Sequence, residues 1–247
     1  QIGKYAKDYQ VNLSAPYYVV TVLHISTQSL PEEEREDPFL LAMAVKKYAE
    51  EQVDERWNSR FVIYLGDIIM ISQLQEKDNL IAYTDEMDRL CRMARKVCNA
   101  RVTAGIGYLC DSLEQIPFSY QGAKQAVSYR VLYGNIRSIS ISEVEPGETA
   151  ELQRVDAYED LIQRIIKKIR VGEENVLQEA IHDFIQWLGE AHLSMQNYRI
   201  VMMELISELV RFAAGHDLSI DNVSGTGTDA YHQALQMEST EALERWL

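Results

Sequence analysis

Residues 101–135 read RVTAGIGYLCDSLEQIPFSYQGAKQAVSYRVLYGN, and this stretch decides the fold. RVTAGIG (101–107) is a short apolar run closing on two glycines, which reads as a strand. From Ser119 the period changes. Tyr120, Ala123, Val127 and Val131 recur at steps of three and four, one face of a helix with Ser119 as N-cap and Gly134 as terminator. SISIS (138–142) follows with strict alternation, the pattern of a half-buried strand.

Upstream of it, strand and helix signals also alternate. YYVVTVLHIST (17–27) is a β-branched and aromatic run long enough for a buried strand. Asp37 as N-cap and Pro38 at the first helical position open a helix reaching about Arg56. Phe39, Leu40, Met43, Val45 and Tyr48 give that helix a broad apolar face. RFVIY (60–64) and IIMIS (68–72) flank a short Leu65-Gly66-Asp67 turn and read as a hairpin. Residues 79–98 form a helix whose apolar positions are Leu80, Tyr83, Met87, Leu90, Cys91, Ala94 and Cys98. The order β-α-β-β-α-β-α-β, with a hairpin in it, predicts an α+β domain: a mixed sheet with helices packed on it.

The chain divides near Pro146. All five prolines lie at or before it, and the stretch EVEPGETAEL (143–152) holds Pro-Gly among four glutamates. Residues 1–146 carry 16 basic and 20 acidic residues, residues 147–247 carry 8 and 18. The second part is helical by period: Tyr158, Leu161, Ile162, Ile165, Ile166 and Ile169; then Val176 to Leu188; then Tyr198 to Ala213. Gly172, and Gly189 with Ser194, mark short connections between antiparallel neighbours. LSIDNVSGTGTD (218–229) reads as a loop before one or two short helices. The expected organisation is a linker over 1–16, an α+β domain over 17–146 and an all-α domain over 147–247. The start QIGKYAKDYQ has neither an h-region nor an initiator Met, and the end is apolar Trp246-Leu247. Both read as cuts in a longer chain.

A net charge of −14 opposes direct binding to nucleic acid or an anionic membrane, which rests on Lys and Arg. No apolar run reaches the length of a membrane span. Cys91, Cys98 and Cys110 form no C-x-x-C pair and read as small apolar residues in a reducing, cytoplasmic setting.

The strand ending in Gly, the helix and the Gly134-Asn135 turn resemble the C-terminal half of GGDEF-type domains, the nucleotide-cyclase-like fold of diguanylate cyclases. YLGDII (64–69) falls where that family has its signature turn. The phrase SY-x-x-A-x-x-A-x-x-Y-R-x-x-x-G over 119–134 is closer still to the GGDEF-like central domain of AraC-type two-component response regulators. That resemblance implies a receiver before this chain and a helix-turn-helix DNA-binding pair after it, with ESTEALERWL (238–247) similar to the linker between. It also implies a homodimer that reaches DNA only through the domain that follows.

Active members of the family hold two magnesium ions with an Asp at the end of the first strand and an acidic pair in the hairpin turn. Hard cations need such oxygens. Here the strand end reads Leu23, His24, Ile25, Ser26 and Thr27, and the turn reads Leu65-Gly66-Asp67-Ile68-Ile69. Ile68 aligns with the family's glutamate and Leu65 with its first glycine, which leaves Asp67 as a turn residue. No catalytic, cofactor-binding or metal-binding residue is expected, no cofactor is implied, and the chain reads as non-enzymatic.

Other residues have simpler readings. Gly105 and Gly107 pack beside a helix, and His182 and Asp183 lie on a solvated helix face. His24 is a satisfied core histidine or else lines a pocket. Ser119 lies in no nucleophile motif. Tyr5, Tyr9, Tyr17 and Tyr18 suit an interface with a neighbouring domain, and residues 32–37 are a solvated acidic loop and helix start. The leading reading is therefore a non-catalytic, dimerising relay module, with room for a small ligand that the sequence does not name. The alternatives are a nucleotide- or metal-dependent enzyme using Asp67, His24 and His182, and a stand-alone ligand-binding scaffold.

Overall fold

The computed structural model describes residues 15–26, 37–145, 156–216 and 227–247. Two compact units form, residues 1–127 with 135–142 and residues 128–134 with 143–247. Thr27, Tyr5, Tyr9 and the acidic run 32–36 lie outside the described residues.

The first unit is a mixed five-stranded sheet: β1 (Tyr17–Ser26), β2 (Arg60–Tyr64), β3 (Asp67–Leu74), β4 (Arg101–Ile106) and β5 (Ser138–Ser140). Their order is β2-β3-β1-β4-β5. β1 runs antiparallel to both neighbours, and β4 and β5 are parallel. The helices are α1 (Pro38–Gln52), α2 (Asn79–Val97), α3 (Ile116–Ser128), α4 (Arg130–Tyr133) and α5 (Ile141–Val144), of which α4 belongs to the second unit. The α+β class and the strand and helix order expected from the residues are those observed.

As the central strand, β1 is buried on both sides because its residues alternate between two cores. Val19, Leu23 and Ile25 join Leu41, Val45, Met87, Leu90, Val102 and Ile106 beneath α1 and α2. Val20 and Val22 face α3, packing with Ala123 and Val127. On the first side a chain of hydroxyls is buried and satisfied. Tyr83 Oη lies 2.7 Å from Thr21 Oγ1 and 3.0 Å from Ser72 Oγ, which meets Ser59 Oγ at 2.8 Å. At the edge of this core, buried Glu86 accepts from Trp57 Nε1 and from the Asp54 amide, both at 2.8 Å.

Three local expectations need correction. Asp37 does cap α1, accepting from the Phe39 amide at 2.9 Å, but the face α1 buries is Leu41, Ala42, Val45 and Ala49. Phe39, Leu40 and Met43 are 50–62% exposed. Ser119 is no cap: α3 begins three residues earlier, and the buried Ser119 hydroxyl accepts from the Val20 amide at 2.9 Å. SISIS is strand only to Ser140, because Ile141 starts a helical turn and buries its side chain completely.

Tyr18 lies in β1, buried, and bridges to Cys110 by paired backbone hydrogen bonds of 2.7 and 2.8 Å. Tyr17 is half-buried under the Lys77 ammonium. Gly105 and Gly107 lie against the α3 backbone. A Cβ on Gly105 would fall 2.2 Å from the Ala123 carbonyl, and one on Gly107 would fall 1.9 Å from that of Ser119.

The second unit contains α6 (Asp156–Val171), α7 (Glu174–Glu190), α8 (Met195–Gly215), α9 (Gly227–Gln236) and α10 (Thr240–Trp246). The Ile162, Ile165 and Ile166 stripe of α6 meets α7 and α8, where Phe184, Leu188, Tyr198, Val201 and Leu205 are buried. Gly172, with φ +75°, makes the turn between α6 and α7. Ser194 caps α8 by accepting from the Asn197 amide. Tyr129 and α4 pack here too, with Tyr129 Oη accepting from the Met195 amide at 3.3 Å. Among the described residues no helix is long and apolar enough to cross a membrane.

Gly105→Ala is expected to lower the urea unfolding free energy by about 2–3 kcal/mol, since its Cβ would meet backbone. Gly189→Ala has no atom within 4 Å of the added Cβ and is expected to raise stability by up to ~1 kcal/mol. Burial raises the Cys91 thiol to about 12, so a thiol reagent near neutral pH should label it only after unfolding.

Candidate functional site

The site follows from one strand register. In the β1–β3 pairing Leu23 lies opposite Ile68, so the next pair outward is His24 and Asp67. Asp67 opens β3 directly after a two-residue turn in which Leu65 and Gly66 both have positive φ, 52° and 87°. The Leu65 side chain projects from that tip, 83% exposed.

His24 Nδ1 and Asp67 Oδ1 are 2.8 Å apart, with the two side chains 26% and 29% exposed. The structure thus gives the surviving hairpin carboxylate a partner. The sequence reads His24 as a core or pocket histidine and Asp67 as a turn residue, and joins them only in the alternative of a nucleotide- or metal-dependent enzyme. Across an antiparallel ladder the position numbers of opposed residues keep one sum, and the pairing follows from it. The turn fixes that sum for β2 and β3, but no local signal fixes it for β1 and β3.

The pair immediately inward is apolar. Leu23 and Ile68 are each 0% exposed, in the core beneath α1 and α2. Successive residues of a strand point to opposite faces, so position 68 opens onto one side of the sheet and Asp67 onto the other. Position 68, an isoleucine, has no oxygen to offer. A charge introduced there would be buried among hydrocarbon.

On the same face as His24 stands its register partner Thr103, and beyond it the pair Ser26 and Arg101. Among the described residues Thr103 Oγ1, Ser26 Oγ and Arg101 Nε are buried without hydrogen-bond partners. Together they give the face two hydroxyls, a guanidinium nitrogen, an imidazole and one carboxylate. Hydroxyls and imidazole bind polar groups, but one carboxylate is a poor seat for two hard cations. Among the described residues no group of three or more His, Cys, Asp or Glu is placed to hold a metal ion.

His182 and Asp183 belong to the second unit. His182 Nδ1 meets Glu244 at 2.9 Å and Asp183 accepts from Arg164 at 2.6 Å, all on exposed faces. A groove of about 300 Å³ between α1 and α2 is lined by Tyr48, Gln52, Glu86 and Arg89. A second, of about 500 Å³, lies in the helical unit along Met203, Val210 and Tyr231. Neither touches His24 or Asp67.

The model of the GGDEF-like domain family matches residues 1–129, which span the sheet through β4 and helix α3. No curated protein and no solved structure matches this chain.

A double-mutant cycle of His24→Ala and Asp67→Asn, followed by urea unfolding, is expected to give a coupling of about 0.5–1 kcal/mol. Strict additivity of the two changes would mean that the pair does not interact.

Proposed function

This chain belongs to the GGDEF-like domain family, and from that premise we propose that it is a non-catalytic signal-relay module. In this reading it is the central part of an AraC-type two-component response regulator. It receives the state of a phosphoacceptor receiver, dimerises, and passes that state to a DNA-binding domain in a reducing, cytoplasmic setting. It takes no cofactor and touches DNA only through that other domain, which agrees with its net charge of −14.

One observation carries the non-catalytic part. Where the family's glutamate would stand, Ile68 is packed against Leu23 in the core, and the one remaining carboxylate, Asp67, is held by His24. Cyclisation of GTP needs cations on the triphosphate to offset charge as the 3′ oxygen attacks. Of the acidic oxygens for that task only those of Asp67 remain, and position 68 carries hydrocarbon. The relay part draws on the 119–134 phrase, whose helix α3 lies in the sheet unit while Tyr129 and α4 are packed in the helical unit.

A second reading, a sensor for a small polar ligand, is favoured by the unpartnered Thr103, Ser26 and Arg101 atoms. It is compatible with the first.

Incubated with GTP and Mg²⁺ or Mn²⁺, the chain is expected to form no cyclic dinucleotide. Product rising in proportion to protein would refute the non-catalytic reading. The reading frame on either side tests the regulator context, which requires a receiver upstream and a helix-turn-helix pair downstream.

A further inference from the structure

Among the described residues β2 is the terminal strand of the sheet, with β3 as its one strand neighbour. The two-residue turn makes Tyr64 and Asp67 a hydrogen-bonded pair, so the backbone groups of Arg60, Val62 and Tyr64 point toward β3. Those of Phe61 and Ile63 then point outward, and among the described residues nothing bonds to them there. Proteins usually blunt such an edge with proline, lysine or a bulge. RFVIY has none of these, and its one charge is Arg60, at the end.

A second observation falls on the same side of the unit. Tyr48, Gln52 and Val53 of the α1 segment line the groove shared with α2, which fixes the flank that faces α2. At roughly 100° per residue, Phe39 lies about half a turn from Tyr48, and Met43 lies close to it. Both therefore occupy the flank of α1 away from Tyr48, and α1 packs against β2 as well as against α2. Phe39 and Met43 are 60% and 50% exposed. An open strand edge and an uncovered apolar helix flank thus adjoin.

We propose that this side is a self-association surface on which two copies of the chain pair β2 with β2, antiparallel about a two-fold axis through Val62. The strand is self-complementary in that register. Phe61 and Ile63 of the second copy exchange the outward backbone hydrogen bonds, and the reverse pair does the same. Arg60 lies opposite Tyr64 of the second copy, guanidinium against ring, and no like charges meet. Val62 meets its own copy on the axis, 52% exposed in the single chain. The two α1 helices then flank the seam and cover Phe39 and Met43. A peptide of unrelated sequence would use the backbone edge but would not reproduce the Arg60–Tyr64 match in both halves, so the geometry favours a second copy. The proposal rests on the dimerising part of the relay reading and is tested on assembly, whereas that reading is tested on chemistry.

Sedimentation of the 247-residue chain over a concentration series is expected to show a monomer–dimer equilibrium. Val62→Lys sets two ammonium-bearing chains opposite each other on the axis and is expected to weaken association at least about ten-fold, with the circular dichroism unchanged. Phe39→Glu combined with Met43→Glu should weaken it from the helix side, which covers the case in which Val62→Lys fails to fold. In hydrogen exchange the Phe61 and Ile63 amides should be protected in the dimer and lose protection on dilution. A chain that stays monomeric throughout would overturn the proposal. So would a dimer indifferent to both variants whose Phe61 and Ile63 amides exchange freely.

Discussion

The register of β1 against β3 is the constraint from which the rest of the sheet unit follows. Tyr17 lies opposite Leu74 and Leu23 opposite Ile68. Because side chains alternate across a strand, a shift of one residue would exchange the two faces of the central strand. In the observed register the odd residues of β1 complete the core beneath α1 and α2, and the even ones meet α3. The same register puts Ile68 into hydrocarbon and sets Asp67 beside His24. One register thus sets hydrocarbon at position 68 on one face and an imidazole–carboxylate pair on the other.

The two faces are held by different means. Under α1 and α2 the apolar core carries a polar seam, Thr21–Tyr83–Ser72–Ser59, and the Glu86 hub, each member holding at least one hydrogen bond. Buried polar groups that are all satisfied favour a single packing over its neighbours. On the other face contact is made by closeness of backbone. Gly105 and Gly107 admit α3 to a distance that any side chain would prevent, and Ser119 ties the helix to β1 through the Val20 amide. The helix so fixed ends at Ser128, and Tyr129 onward is packed among the helices of the second unit. The chain passes between the two compact units three times, after Val127, after Gly134 and after Ser142.

Much of this was legible in the residues themselves. Alternation and three-four spacing place the strands and helices of the described part to within a few positions, and 119–134 carries the family resemblance. What could not be read has physical causes. Phe39, Leu40 and Met43 look like core because they are apolar, but the helix has apolar residues nearly all round, and only packing decides which stripe is buried. Ser119 looks like a cap because serine favours that position, yet a buried strand amide needed its oxygen more. Ile141 continues an alternating pattern, but its side chain is buried as the first residue of a helical turn. The His24–Asp67 pair depends on long-range register, which no local pattern encodes.

On the proposed reading Asp67 is held by His24 and does not form half of a metal seat. The most direct measurement is nuclear magnetic resonance of histidine-labelled protein titrated with Mn²⁺, whose unpaired electrons broaden any nucleus nearby. The account predicts that the His24 ring signals stay as sharp as those of the other histidines through one equivalent of Mn²⁺, with or without GTP. Selective loss of the His24 signals at that ratio would place a divalent ion at Asp67 and contradict it.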